Sequence, residues 1–295
     1  MKKLLFIYNT HAGKGTLRTR LAPVLDALAQ DWDVTAHPTQ GPEDAEQTVR
    51  ARAGEFQRIV CAGGDGTLHQ VVTGLMGLGA RPEVGYIPAG TTNDFSKNLS
   101  LPRGLEAMAR TAAAGVPRAV DVGCFNGQYF VYIAAFGAFT DVAYTTPQAA
   151  KNLFGHLAYV MEGATRLTSI QPYPLTVEHD GGVLEGSFCY GMISNTVSVG
   201  GFKGMPTQPV ALDDRLFVVI LVRQPQNPLQ LQAVLKGLVT MEGDADGQVT
   251  TFRTSRLTIT SSQPLPWTLD GEYGGEHSRA EIVNCRQAVK IVHGK

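Results

Sequence analysis

The residues best suited to chemistry form a glycine-rich turn, Gly63-Gly64-Asp65-Gly66-Thr67. Apolar residues predict a buried strand at Ile59–Ala62, and apolar residues at helical spacing predict a helix from Leu68. Glycine lets a ligand approach bare backbone N–H groups, and the helix N-terminus adds free donors and a partial positive charge. Asp65 would repel a phosphate unless a cation lies between them, so the pattern favours a nucleotide phosphate with Mg²⁺. A tight strand-to-helix connection without a ligand is the alternative.

Two further loops with polar side chains follow predicted strands. The loop Asn9–Gly15 places Lys14 where it can meet a phosphate, although its spacing is not that of a P-loop. The loop Pro88–Phe95 offers the Thr91 hydroxyl and the amide–acid pair Asn93-Asp94. A plain connection is the alternative for the first loop, and a helix cap is the alternative for the second.

Carboxylates later in the chain could also carry chemistry. In an extended segment Asp270 and Glu272 would point the same way and could face one cleft. Asp-Gly is also a strong hairpin signal, and the segment by itself slightly favours this alternative. Asp214, before an apolar strand, is either a surface acid or a cation ligand. Asp121 lies between two valines, so it either faces solvent or serves a cation or a base, because burial without a partner is costly.

Alternating strands and helices position the first three loops. Strands are predicted at Leu4–Tyr8, Trp32–His37, Ile59–Ala62 and Val84–Ile87. Helices are predicted at Leu17–Leu28, Pro42–Ala53, Leu68–Leu78 and Leu105–Ala114, and Pro23 should kink the first helix or shift its start. Such alternation implies right-handed crossovers and a parallel sheet covered on both faces. Ligands bind beyond the carboxyl ends of the strands in such a sheet, so we expect the loops to gather on one edge.

The pattern changes after Val116-Pro117 to many strands joined by turns. Only Asn152–Leu167 and Pro228–Met241 have a helical pattern there. Strands that follow one another in this way predict an antiparallel sandwich or barrel-like domain. The sequence therefore predicts a nucleotide-binding α/β domain with a parallel sheet over residues 1–117. A mostly antiparallel β domain is predicted over residues 118–295.

Composition excludes several classes of function. The chain of 295 residues is 43% hydrophobic and 17% charged, as in folded domains. A net charge of −1 argues against nucleic acid as a partner and gives no strong attraction to anionic membranes. Four scattered cysteines argue against a zinc site or a disulfide framework and favour a reducing compartment. The N-terminus is predicted to be a strand rather than a signal peptide, and no apolar run reaches the ~20 residues of a transmembrane helix. We therefore expect a cytoplasmic protein.

Taken in chain order, the motifs resemble those of the bacterial diacylglycerol kinase-type soluble lipid kinases. The catalytic domain of this family is also seen in sphingosine and ceramide kinases. The resemblance rests on Asn9–Gly15, Gly63–Thr67, Pro88–Phe95, Asp213–Leu216 and Leu269–Glu272. These motifs extend over nearly the whole chain, and the second and third are the most specific. NAD kinases share only the Gly63–Thr67 motif.

The resemblance implies two domains with ATP in the cleft between them, and it implies that the second domain, residues 118–295, contacts the lipid substrate. It implies nucleotide contacts at Asn9, Gly13, Lys14, Thr39, Gly63, Gly64, Asp65, Gly66, Thr67, Leu68, His69, Gln70 and Thr91. It implies that Asp65, Asp94 and Asp121 are tied through water to the Mg²⁺ of ATP. It also implies that Glu272, supported by Asp270, is the general base. A structural Mg²⁺ is implied at Asp214 with the carbonyl oxygens of Ala211 and Leu216.

Some residues depart from the family pattern. Thr10 stands where proline is common, and Arg215 stands where glycine usually follows the metal-binding aspartate. In this family the last strand can return to the first domain, which would change the boundary near residue 117.

The expected function is ATP- and Mg²⁺-dependent phosphorylation of a lipid hydroxyl, with diacylglycerol giving phosphatidic acid. The protein would reach the membrane lipid peripherally and transiently, and a homodimer is a possible assembly. Tyr129–Phe139 and Phe154–Leu167 are candidate walls of the lipid pocket. The alternatives are a nucleotide-binding regulatory protein without kinase activity and an NAD-kinase-like enzyme for a soluble substrate.

Overall fold

The computed structural model describes residues 2–137, 172–196, 198–199, 202–203 and 211–294. The chain forms two compact units, of which the first ends at Val122 and also includes the residues from Arg286 onwards. The second unit extends from Gly123 to Cys285. The chain therefore leaves the first unit slightly after residue 117 and re-enters it near the C-terminus. Among the helices of the described residues, none is long and apolar enough to cross a membrane.

A parallel sheet forms the centre of the first unit. Its strands are β1 (Lys2–Tyr8), β2 (Trp32–Pro38), β3 (Arg58–Gly63) and β4 (Glu83–Pro88). They lie in the order β2-β1-β3-β4, and each neighbouring pair is parallel. Near the C-terminus, Ile291 pairs in parallel with Val84 of β4. The central strands are buried and therefore form continuous apolar runs in the sequence.

Helices pack against this sheet. They are α1 (Thr16–Thr19), α2 (Leu21–Ala29), α3 (Asp44–Arg52), α4 (Asp65–Met76) and α5 (Leu105–Ala114), with short 3-10 helices at Ala53–Glu55 and Phe95–Asn98. The predicted first helix consists of two pieces that meet at Arg20, whose φ of −117° is not helical. Pro23 lies in the first turn of α2, where its missing N–H is tolerated. The prediction that this proline shifts the helix start is confirmed.

The second unit is mostly antiparallel β. Its strands are β5 (Val116–Phe125), β6 (Gln128–Phe130), β7 (Ile133–Gly137), β8 (Tyr173–His179), β9 (Gly182–Phe188), β10 (Tyr190–Ser194), β11 (Ser198–Val199), β12 (Phe202–Lys203), β13 (Phe217–Val222), β14 (Val249–Thr254), β15 (Arg256–Leu269) and β16 (Glu272–His293). Strand β5 begins in the first unit, and β16 ends in it. Strands β14-β13-β10-β7-β15-β16 are successive neighbours in the sheet. Strand β8 pairs with both β15 and β9. One helix of this unit is α6 (Pro228–Thr240).

Aromatic side chains fill the core of the second unit. Trp267 lies 4.8 Å from Phe125 and 4.9 Å from Phe136 between ring centroids, and all three are buried. The sequence pattern divides two of the observed strands: it predicts Leu257–Thr260 and Leu265–Leu269 within β15, and Ala280–Val283 and Ala288–Val292 within β16. Shifts in register, rather than a turn, separate the two parts of β15. The predicted helix Asn152–Leu167 lies outside the described residues. The predicted fold class, an α/β unit followed by a mostly antiparallel β unit, is confirmed.

Candidate active site

The glycine-rich turn connects β3 to α4. Helix α4 begins at Asp65, and the N–H groups of Thr67 and Leu68 donate to the Gly64 carbonyl at 3.1 and 3.3 Å. The first N–H groups of a helix have no partner one turn earlier, and anions bind to such donors. A Cβ on Gly63 would overlap the Thr67 side chain, which explains the glycine at that position. The turn therefore has the local geometry that the sequence predicts for a phosphate-binding corner.

Loops that follow β1, β3 and β4 lie against one another through their backbones. A Cβ on Gly13 would lie 2.5 Å from the Ala89 carbonyl oxygen, and a Cβ on Gly90 would lie 2.5 Å from the Gly64 Cα. The Ala89 N–H also donates to the Gly63 carbonyl at 2.8 Å. The structure thus brings together the three loops that the sequence predicts on one edge of the sheet. We call these loops, residues 9–15, 63–67 and 88–95, the glycine corner.

The Asp65 carboxylate links the loop 63–67 to the loop 88–95 by hydrogen bonds. Its oxygens accept the N–H of Asp94 at 2.9 Å and the N–H of Phe95 at 3.2 Å. Both donors belong to the start of the 3-10 helix Phe95–Asn98, so Asp65 caps that helix from another element. Sequence reasoning assigned Asp65 to a cation, whereas its partners in the structure include backbone N–H groups.

Asp94 is buried and forms an ion pair with Lys97, with 2.8 Å between Oδ1 and Nζ. Sequence reasoning did not select Lys97 as a site residue. Its position three residues after an aspartate in a helical turn is the signal that could have identified it. The pair places a positive charge beside the carboxylates of the glycine corner.

Asn93 and Tyr86 complete the glycine corner. Asn93 has a left-handed φ of 51°, its side-chain oxygen accepts the Gly90 N–H at 2.9 Å, and its amide donates to the Gly90 carbonyl at 2.8 Å. The Tyr86 hydroxyl donates to the Gly63 carbonyl at 3.3 Å. Burial, and then the charge of Asp65, raise the pKa of Tyr86 well above its ordinary value. The phenol therefore stays protonated and can keep donating.

Asn9 orders the loop after β1. Its N–H donates to the Ala62 carbonyl at 2.8 Å, and its side-chain oxygen accepts the His11 N–H at 2.9 Å. Lys14 and Thr91, two of the predicted nucleotide contacts, are exposed on their loops. Exposure leaves both side chains accessible to a ligand.

Thr39 follows β2, and its N–H donates to the Tyr8 carbonyl at 2.9 Å. Asp44 holds the next residues, because its carboxylate accepts the Gln40 N–H at 2.9 Å and lies 2.9 Å from His37 Nε2. Burial acts to raise the pKa of Asp44, but the Gln40 N–H and His37 outweigh it and leave the pKa below its ordinary value. This contact network, which the sequence did not indicate, fixes the backbone beside Thr39.

Asp121 is buried in β5, and its Oδ1 accepts the Gln287 N–H at 2.6 Å. Gln287 has a left-handed φ of 49° in β16, within the part that returns to the first unit. The buried carboxylate thus has a hydrogen-bond donor, as its burial requires. Asp121 joins the returning strand to β5.

The turn between β15 and β16 is a hairpin of two residues, the alternative that the sequence slightly favours. Leu269 pairs with Glu272, and Asp270 and Gly271 have left-handed φ values of 52° and 88°. Both central residues of a type I′ turn need positive φ, which is why Asp-Gly is typical there.

The two carboxylates of this hairpin have different surroundings. Asp270 is buried and accepts the N–H groups of Val131, Tyr132 and Ile133 at 2.6, 2.9 and 3.1 Å. Glu272 is exposed. Asp270 therefore fixes the turn that carries Glu272, and Glu272 remains accessible.

Asp214 precedes β13 and forms an ion pair with Arg253 of β14. Its Oδ1 accepts the Leu216 N–H at 2.9 Å, and Arg215 has a left-handed φ of 67°. Within the described residues, no three or more His, Cys, Asp or Glu side chains form a cluster suited to a metal ion. The structural Mg²⁺ expected at Asp214 with Ala211 and Leu216 stays a prediction, and a guanidinium already neutralises this carboxylate.

Two family models match successive parts of the chain. Residues 3–125 match the diacylglycerol kinase catalytic domain. Residues 135–292 match the family described as the YegS C-terminal NAD kinase beta sandwich-like domain. A crystal structure of a diacylglycerol kinase from Bacillus anthracis has the same fold, with a TM-score of 0.79 at 23% identity over 99% of this chain and 97% of that chain. A second chain from this organism has a TM-score of 0.86 at 24% identity, with the same coverage.

Full-length relatives support the same assignment. The chain is 34% identical to a diacylglycerol kinase of Bacillus subtilis, over 100% of this chain and 97% of the relative. It is 31% identical to a diacylglycerol kinase of Staphylococcus carnosus, over 98% of this chain and 94% of the relative. The chain therefore belongs to the diacylglycerol kinase family, as the motifs indicate.

Proposed function

We propose that this lipid kinase transfers the terminal phosphoryl group of ATP to the free hydroxyl of diacylglycerol and so forms phosphatidic acid. The bond between the terminal phosphorus and the bridging oxygen of ATP breaks, and ADP leaves with that oxygen. A new bond forms between phosphorus and the lipid oxygen, whose proton passes to a carboxylate. The glycine corner carries this proposal, because bare backbone and a helix N-terminus meet there in the family's catalytic domain.

The nucleotide is proposed to bind with its phosphates at the glycine corner. The proposed hydrogen-bond donors to the phosphates are the first N–H groups of α4, the loop Asn9–Lys14 and Thr91. Thr39 is proposed to make a further contact with the nucleotide. On α4, Leu68 is buried and its N–H donates to the Gly64 carbonyl, so its proposed part in nucleotide binding is to hold the turn, whereas the half-buried side chains of His69 and Gln70 are accessible. Phosphoryl transfer depends mostly on positioning and on neutralising charge, which such donors supply.

Carboxylates near the phosphates require a cation, and we propose that ATP brings it as its Mg²⁺ complex. Asp65 and Asp94 are each held by donors of the protein, so the proposal assigns them an indirect role through water. Lys97 adds a positive charge at the same place. Asp121 is assigned the same water-mediated role and also holds the returning strand.

Glu272 is the proposed general base. A base must be accessible and able to accept the proton of the attacking hydroxyl. Glu272 is exposed, and Asp270 holds the preceding turn through three N–H groups. The proposal requires the lipid hydroxyl to contact Glu272 while its oxygen attacks the terminal phosphorus.

Diacylglycerol lies in membranes, so the proposed reaction takes place at a membrane surface that the enzyme reaches from the cytoplasm. A kinase for a soluble nucleotide is the second candidate, because the second unit matches a family described as NAD kinase-like. A regulatory protein that binds ATP without transferring phosphate is the third.

A substrate panel tests the proposal. The full chain is incubated with Mg²⁺ and ATP labelled at the terminal phosphate, and separately with vesicles containing diacylglycerol, vesicles containing ceramide, or NAD. We expect label in phosphatidic acid. Label in NAD phosphate or ceramide phosphate would reject diacylglycerol, and binding of ATP without transfer to any acceptor would favour the regulatory alternative.

A further inference from the structure

The ion pair between Asp214 and Arg253 lies at the place where the family resemblance implies a structural Mg²⁺. Both residues belong to the second unit, Asp214 just before β13 and Arg253 on β14 opposite Val218. Each side chain is about seven-tenths buried, with exposed fractions of 27% and 29%. The pair is therefore shielded more than an ordinary surface ion pair.

Donors already contact both oxygens of this carboxylate. Arg253 donates to Oδ2, and the Leu216 N–H donates to Oδ1 at 2.9 Å. Mg²⁺ needs oxygen ligands in near-ideal octahedral geometry, and a guanidinium at the same carboxylate would repel it. The residues present do not fit a Mg²⁺ while Arg253 keeps this position.

The backbone here is consistent with an arginine-bound turn. Arg215 has a φ of 67°, a conformation that glycine adopts without strain and that other residues adopt only when contacts maintain it. The Asp214 side chain supplies such a contact, because its carboxylate accepts the N–H of Leu216, the residue after Arg215, and is itself held by Arg253. A positive group at Asp214, here the Arg253 guanidinium, thus helps to hold the turn at residues 211–216.

We propose that the Arg253 guanidinium occupies the cation position at Asp214, so that this chain needs no divalent ion to hold the 211–216 turn. A guanidinium attached to β14 supplies its charge at any Mg²⁺ concentration, whereas a bound ion stabilises the fold only in proportion to its occupancy. The proposal concerns folding and is independent of the transfer reaction.

Thermal unfolding of the full chain without nucleotide tests this inference. For the wild type, we expect the same Tm in 10 mM MgCl₂ and in excess EDTA. In Arg253→Ala the carboxylate loses its positive partner, so we expect a lower Tm in EDTA and a rise of roughly 2–4 °C on addition of MgCl₂, as for ~1 kcal/mol of binding in a chain of this size. Asp214→Asn in the Arg253→Ala background should abolish that rise.

Arg279→Ala is the matched control, because Arg279 forms an exposed ion pair with Glu281 on β16 of the same unit. Its Tm should be independent of Mg²⁺. A fall of several degrees in the wild-type Tm on chelation would overturn the inference, and so would an Arg253→Ala variant whose Tm does not respond to Mg²⁺. Because unfolding is measured without substrate, neither result depends on kinase activity.

Discussion

Aspartates in this molecule act repeatedly as acceptors for backbone N–H groups of another element. Asp65 holds the start of a 3-10 helix, Asp121 holds the returning strand, and Asp270 holds the start of β7 and the two residues before it. Hydrogen bonds from N–H groups to a carboxylate are stronger than those between neutral groups. The same side chains that the sequence marks as candidates for chemistry therefore also set the geometry of the loops.

Asp180, in the turn between β8 and β9, gives a pH prediction. The Ser255 hydroxyl, then the Ser255 N–H, and also Thr254 and Arg256, hold the pKa of Asp180 well below its ordinary value. A pKa lowered by folding contributes stability above the unfolded pKa of ~3.9, and this contribution is lost as the pH falls towards the folded pKa. We expect Asp180→Asn to have a flatter dependence of the urea midpoint on pH below pH ~4 than the wild type.

Partial exposure of Asp180 screens this effect, so the difference between the two midpoint curves should be modest. Glu281→Gln is the control, because its partner Arg279 is exposed on the same unit. Parallel curves for Asp180→Asn and the wild type from pH 5 to pH 2 would contradict this account.

Sequence reasoning selected the aspartates but could not identify their partners. Asp65 suggested a cation because a carboxylate beside phosphate donors is unfavourable, and its backbone partners are 29 and 30 residues away. Lys97 was missed because its spacing of three residues from Asp94 indicates an ion pair only where a helical turn is expected, and the sequence predicts a loop there. Contacts between distant loops are not encoded in local spacing.

At the scale of elements, the glycine corner depends on close approach between loops. Gly90→Ala would place a Cβ 2.5 Å from the Gly64 Cα. Overpacking of this kind costs ~1–3 kcal/mol and should push the loops apart. We expect affinity for MgATP, measured by calorimetric titration, to fall by roughly tenfold or more.

Gly41→Ala is the matched control, because a Cβ at that position meets no atom within 4 Å. It should bind MgATP as the wild type does. Equal affinity of Gly90→Ala and the wild type would show that the close contact of these loops is not needed for the nucleotide.

Element types were easier to predict from the sequence than element ends. Apolar runs and helical spacing identified the parallel strands and helices of the first unit, and Pro23 correctly indicated a shifted helix start. The sequence pattern predicts two strands where β15 is continuous with a shift in register after Thr260, because polar residues within a strand resemble a turn. The Asp270-Gly271 hairpin was predictable because its backbone needs positive φ at both positions.

At the scale of the whole molecule, the two units carry complementary parts of the proposed reaction. The first contains the glycine corner, and the second contains the hairpin with Glu272. The change from alternating helices and strands to mostly strands predicts a boundary near residue 117, whereas the return of the chain into the first unit is an expectation from the family resemblance alone. Distant pairing such as that of Ile291 with Val84 has no local signal.

The most direct test of the central claim is transfer of labelled phosphate from MgATP to diacylglycerol by Glu272→Gln, with Glu276→Gln, at another exposed residue of the same strand, as the control. Removal of a general base should lower the transfer rate by ~10²–10⁴-fold while calorimetric affinity for MgATP stays unchanged. Glu276→Gln should transfer phosphate at the wild-type rate. Transfer by Glu272→Gln at the wild-type rate would contradict the account.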